Sequence, residues 1–174
     1  MRLDIKLELY GKIVSDEVLE EIVDEFANRL DSDGRGYGTI EETLASVEKS
    51  ASEGNPLTVT WKATYDDFET LKSTAKFGGL AYRYYTAPED GNHYSEMTTF
   101  NPVTGKETWV ALSDNETPVV ELSELKRMRL DGMSIDEIIA AVEHRTELGV
   151  PKRVEIDPEA IKAYRTRLSN APAP

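Results

Sequence analysis

Between residues 16 and 25 six carboxylates come in pairs: Asp16 with Glu17, Glu20 with Glu21, Asp24 with Glu25. The first two pairs are followed by Val18 with Leu19 and Ile22 with Val23, and the last by Phe26. At about 100° per residue this beat places the acids on one half of a helix and the large apolar residues on the other. The chemistry open to such a surface is ion pairing, because carboxylates accept charge-assisted hydrogen bonds from lysine and arginine much as phosphates do in a basic groove. Two rows of like charge run along it, Asp16–Glu20–Asp24 and Glu17–Glu21–Glu25, and no lysine or arginine within residues 16 to 25 offsets them. Each repulsion costs a few tenths of a kcal/mol in an isolated helix. The plain alternative is a solvated face on a helix held by packing, with part of its charge favourable near the N-terminus.

Other residue sets offer less. Asp31, Asp33, Gly36 and Glu42 fall at positions one, three, six and twelve of a calcium-binding loop, but Arg35 stands where an oxygen ligand belongs and Gly38 where an aliphatic belongs. A flexible turn between helices is the better reading, and neither metal nor cofactor is expected. His93 lies beside a turn and His144 near a helix end, with no nucleophile motif at either. Catalysis is therefore not expected. Gly132, Met133, Ser134, Ile135, Glu137 and Ile138 resemble a stretch found in helix-turn-helix modules. Yet a reading helix starting at Ser134 would turn Asp136, Glu137 and Glu143 toward phosphates, the wrong sign. Arg127, Arg129, Lys152 and Arg153 are the alternative nucleic-acid contacts, unless they balance the protein's own acids.

The elements that position these residues can be read from periodicity. Leu3, Ile5, Leu7 and Leu9 alternate with charged residues as a half-buried strand does, and Gly11 permits a turn. Ser15 suits an N-cap for the acidic helix, which should end near Leu30. Thr39 with Glu42 forms a capping box for a second helix, with Ile40, Leu44 and Val47 inward. A second strand starts at Leu57. A helix from about Asp66 follows, with Phe68, Leu71 and Ala75 inward and Gly78–Gly79 as its stop. Leu80 to Leu112 reads as a three-stranded meander, in which Arg83 and Tyr85 should point away from Tyr84 and form an exposed pair. After Leu122 helical spacing takes over to the end. Ser134 and Glu137 cap a helix with Ile135, Ile138, Ile139 and Val142 inward, and Asp157–Pro158 begins the last helix.

The chain has 174 residues and no cysteine, which excludes disulfides, zinc-thiolate sites and thiol chemistry. Net charge is −13 from 33 acids and 20 bases. Residues 1–54 hold 14 acids and 6 bases, residues 55–122 hold 10 and 5, and residues 123–174 hold 9 and 9. Such a field repels nucleic acid and anionic membrane and steers basic proteins inward. Met1 to Leu9 alternates instead of running apolar, unlike a signal peptide or membrane span, so a cytoplasmic protein is expected.

The expected fold is α+β: an antiparallel sheet of about five strands with helices packed on one face and a C-terminal helical segment. Residues 1–122 form the acidic α+β domain, and residues 123–174 the helical segment packed on it. The expected function is non-enzymatic binding, an inhibitor that docks on a basic surface of a protein or complex acting on nucleic acid. Inhibitors of host defence carried by phages or mobile elements, and immunity proteins, have this character. The binding residues would be Asp16, Glu17, Glu20, Glu21, Asp24 and Glu25. A regulator contacting nucleic acid through its C-terminal helices is the main rival, and a small hydrolase or ligand-binding protein a weaker one.

Overall fold

The computed structural model describes residues 3–28, 38–63, 68–86, 95–113 and 115–170, with backbone alone at 3, 4, 62 and 63. The sheet is organised about its longest strand, β1 (Leu3–Ile13). One edge of β1 pairs antiparallel with β2 (Leu57–Ala63) as far as Leu9, then parallel with β7 (Val154–Ile156) over Gly11–Ile13. The other edge pairs antiparallel with β3 (Ala81–Thr86), and β4 (Ser95–Asn101), β5 (Lys106–Leu112) and β6 (Pro118–Val119) continue outward in order. The α+β class and the meander are as expected. Seven strands replace five because β6 and β7 hold two and three residues, too few to display an alternation.

On one face Ile5, Leu7 and Leu9 align across the register with Thr86, Tyr84 and Tyr82. Four helices cover this face: α1 (Asp16–Ala27), α2 (Ile40–Ser52), α3 (Glu69–Phe77) and α6 (Pro158–Asn170). Val18, Leu19, Ile22, Val23 and Phe26 of α1 enter a core shared with Leu44, Val47, Leu71 and Tyr164. Each such burial contributes roughly 1.5–3 kcal/mol, far more than a like-charge pair on the outer face removes. Ser15 caps α1 by accepting from the Glu17 N–H, and Thr39 with Glu42 forms the expected capping box. Helix α1 ends at Ala27. Helix α3 begins at Glu69 after a fully buried Phe68, and Asp66 lies outside the described residues.

The opposite face carries Glu8, Tyr10, Arg83, Tyr85, Met97, Thr99, Thr108 and Val110 in register. Here α4 (Leu122–Leu130) and α5 (Ile135–His144) are joined through Gly132 at φ +88° and lead into a strap, residues 145–150. The strap crosses the sheet. Thr108 Oγ1 of β5 donates to the Arg145 carbonyl of the strap, Asn101 Nδ2 of β4 to the Glu147 carbonyl, and Arg83 Nη2 of β3 to the Thr146 carbonyl. Leu148 then packs with Tyr10 and Ala81. The chain passes into β7 and on to α6, so one connection ties the two layers together.

Two expectations fail on this face. Arg83 and Tyr85 do point away from Tyr84, but they are half-buried because the strap and the Glu8 side chain engage them. Ile138 turns inward and is 5 % exposed, whereas Ile135 and Ile139 are 56 % and 50 % exposed. Periodicity identifies the apolar face of a helix but not whether another element reaches far enough to cover it.

Candidate acidic binding face

The structure divides the acidic face of α1. Arg167 of α6 places Nη2 2.9 Å from Asp16 Oδ2 and Nη1 2.7 Å from Glu20 Oε2, closing the first row from within. Asp24, at the end of that row, is half-buried, and its carboxyl titrates above the usual range, first through burial and then through the charges of Glu20 and Glu25. Its neighbour Tyr164 is 1 % exposed, and its hydroxyl is pushed up to about 12 by burial and by Asp24 and Glu20. Arg165 meets both carboxylate oxygens of Glu48 on α2, at 3.0 and 2.8 Å. Helix α6 therefore answers part of the acid excess.

The second row is different. Glu17 and Glu21 are exposed and make no ion pair among the described residues, while Glu25 is half-buried. With Val18 of α1 and Ser73, Thr74 and Phe77 of α3, Glu17 and Glu21 line an open groove of about 320 Å³. Phe77 is 79 % exposed. A shallow groove with two carboxylates on one wall and an aromatic ring on the other suits a protruding lysine or arginine, whose methylene stem lies against apolar surface while its head meets the acids. Phe77 was absent from the sequence reading, although nine residues after Phe68 it falls about 180° around the helix from the buried stripe. That angle was the available signal.

The basic residues proposed for nucleic acid divide into two pairs. Arg127 and Arg129 lie on α4, where Arg127 is 4.0 Å from Glu124 and Arg129 donates to the Met133 carbonyl at 2.8 Å. Lys152 and Arg153 lie at the far end of the strap beside β1, and Arg153 pairs with Glu155 at 2.6 Å. The strap between them spans three strand spacings, about 14 Å. Arg145 also holds Glu124 at 2.6 Å, which draws the Glu124 carboxyl below its ordinary range.

Beneath the strap, Glu8 accepts hydrogen bonds from Tyr10 at 2.5 Å and Tyr85 at 3.0 Å, and Lys6 stands 3.3 Å from its other oxygen. Burial, reinforced by the Glu8 charge, raises both tyrosine hydroxyls far above their usual range. Held neutral and bonded to one carboxylate, these phenols tie β1 to β3 through a shared charged acceptor.

The calcium-loop residues Asp31, Asp33 and Gly36, with His93, lie outside the described residues. Among the described residues no group of three histidine or acidic side chains is placed to hold a metal ion. No described helix is long and apolar enough to cross a membrane. No protein-family model, curated protein or solved structure matches the chain.

Proposed function

We propose that this is a non-enzymatic binding protein whose α1–α3 face docks on a basic surface of another macromolecule, most naturally a protein that handles nucleic acid, and inhibits it by occupying that surface. The observation that carries the reading is the contrast within α1. Arg167 neutralises Asp16 and Glu20, whereas Glu17 and Glu21 stay open beside an exposed Phe77. An internal cation for Asp16 and Glu20 and none among the described residues for Glu17 and Glu21 is the pattern of a face whose open acids serve a partner. Contacts combining an aromatic anchor with charge-assisted hydrogen bonds also concentrate binding energy. The net charge of −13 favours encounter with a basic partner. The basic residues of α4 and of the strap end face opposite ends of the sheet, so direct nucleic-acid contact through both pairs has less support.

The test is capture of partners from a nuclease-treated lysate at low and high salt, identified by mass spectrometry. The proposal expects a basic nucleic-acid-processing protein that is retained at low salt, lost with Glu17→Gln plus Glu21→Gln, and weakened by Phe77→Ala. It also expects that purified partner to lose activity when the wild-type protein is added. Capture that survives the double glutamine variant, or a captured partner whose activity is unaffected, would overturn it.

A further inference from the structure

We propose that the α4–α5 hairpin is the interface of a homodimer, in which α4 of each copy packs against α5 of the other. Four large apolar side chains stand open on these two helices: Leu122 at 65 % and Leu130 at 87 % exposure on α4, Ile135 at 56 % and Ile139 at 50 % on α5. Ile135 and Ile139 are one helical turn apart and form a ridge, and Leu130 stands just across the Gly132 turn from Ile135. An amphipathic helix in a soluble protein normally turns such a ridge inward. Here Ile138 alone of the α5 stripe is fully buried.

The charges around this patch identify its occupant. Helix α4 carries Lys126, Arg127 and Arg129, while α5 carries Asp136, Glu137 and Glu143. They do not neutralise one another within the chain. Lys126, Asp136 and Glu143 make no ion pair among the described residues, and the acid nearest Arg127, Glu124 at 4.0 Å, is already held by Arg145 at 2.6 Å. Glu137 is committed to the Ser134 capping box. A wholly basic or wholly acidic partner would complement one helix and repel the other. A second copy related by a two-fold axis complements both, since in an isologous interface each α4 meets the partner's α5. The apolar residues then bury against each other, and opposite charges flank them. The α1–α3 groove lies on the other side of the sheet and stays free, so a dimer would offer two acidic faces and gain avidity on a partner with repeated basic sites.

The experiment is sedimentation velocity on the full chain, from micromolar to sub-millimolar concentration, with circular dichroism confirming the fold of every variant. The wild type should sediment as a dimer, and Ile139→Lys should weaken association by roughly tenfold or more. Lys126→Glu with Arg127→Glu should be monomeric, as should Asp136→Lys with Glu143→Lys. Mixing these two folded charge-reversed variants should restore a dimer, because both α4–α5 contacts of the mixed pair again bring opposite charges together. A monomeric wild type, which would leave the patch to a different protein or to none, overturns the inference. A dimer indifferent to these changes, or reversed variants that fail to associate on mixing, overturns it equally. None of these outcomes depends on the α1–α3 groove, so the two proposals fail separately.

Discussion

The guanidinium of Arg167, in the last helix, meets the carboxylate of Glu20, in the first, at 2.7 Å and reaches Asp16 at 2.9 Å. This contact fastens α6 across α1 and relieves one row of like charges. Each pair is part-exposed and worth about 0.2–1 kcal/mol. Arg167→Ala should therefore cost about 1 kcal/mol in urea unfolding at low ionic strength, and the loss should shrink in high salt as screening shortens the reach of the charges. A loss independent of salt would assign the role of Arg167 to its packing against Tyr164, whose ring lies 6.0 Å away.

Asp24 provides a pH-dependent counterpart. Burial, with Glu20 and Glu25 nearby, raises its carboxyl pKa in the folded state above the unfolded value of 3.8. Ionising it costs more in the folded protein, so its cost to stability is fully present above the folded pKa and vanishes as pH falls toward 3.8. Asp24→Asn should accordingly raise the unfolding midpoint at neutral pH and converge with the wild type only below pH 3.8. Thermal unfolding across that range checks both the sign and the convergence.

The parts of this fold legible in the sequence are those specified locally. Ser15, the Thr39–Glu42 and Ser134–Glu137 boxes and the Asp157–Pro158 start each satisfy backbone groups within their own helix end, so a few residues suffice to recognise them. The alternation of β1 and the turn between β4 and β5 are equally local. The division of the acidic face was not legible, because all six carboxylates are equivalent until Arg167 arrives from the far end of the chain. Nor was β7, whose three residues become a strand through the exposed edge of β1 beyond Leu9 and not through any pattern of their own.

Gly11 marks the point where that edge changes partner. Its φ of +108° belongs to a region that side chains disfavour, and a Cβ placed there would lie 3.5 Å from the Leu80 side chain and 3.7 Å from Val150. The contacts are ordinary in length, so the cost of Gly11→Ala should come from backbone conformation and amount to about 1–2 kcal/mol. Combining it with Val150→Ala should not recover the loss in equilibrium unfolding. Recovery would show that side-chain crowding is responsible.

Glu8 and its two tyrosines test the face beneath the strap. Tyr85→Phe removes one hydrogen bond to a charged group and leaves Tyr10 and Lys6 on the carboxylate, so a loss of about 1.5–3 kcal/mol is expected. Glu8→Ala leaves both phenols without their acceptor and should cost more than either single tyrosine change. The network also dictates behaviour at high pH. Because the folded pKa of each phenol is raised above its unfolded value near 10, the stability linked to it is fully present below pH 10 and is lost as pH rises through the folded value. Wild-type protein should thus lose stability steeply on alkaline titration, with tyrosinate absorbance appearing as the chain unfolds. Tyr10→Phe with Tyr85→Phe should start from a lower stability and decline less steeply above pH 10. Equal slopes in the two proteins would mean that these phenols ionise without unfolding, and that the strap leaves them open to solvent.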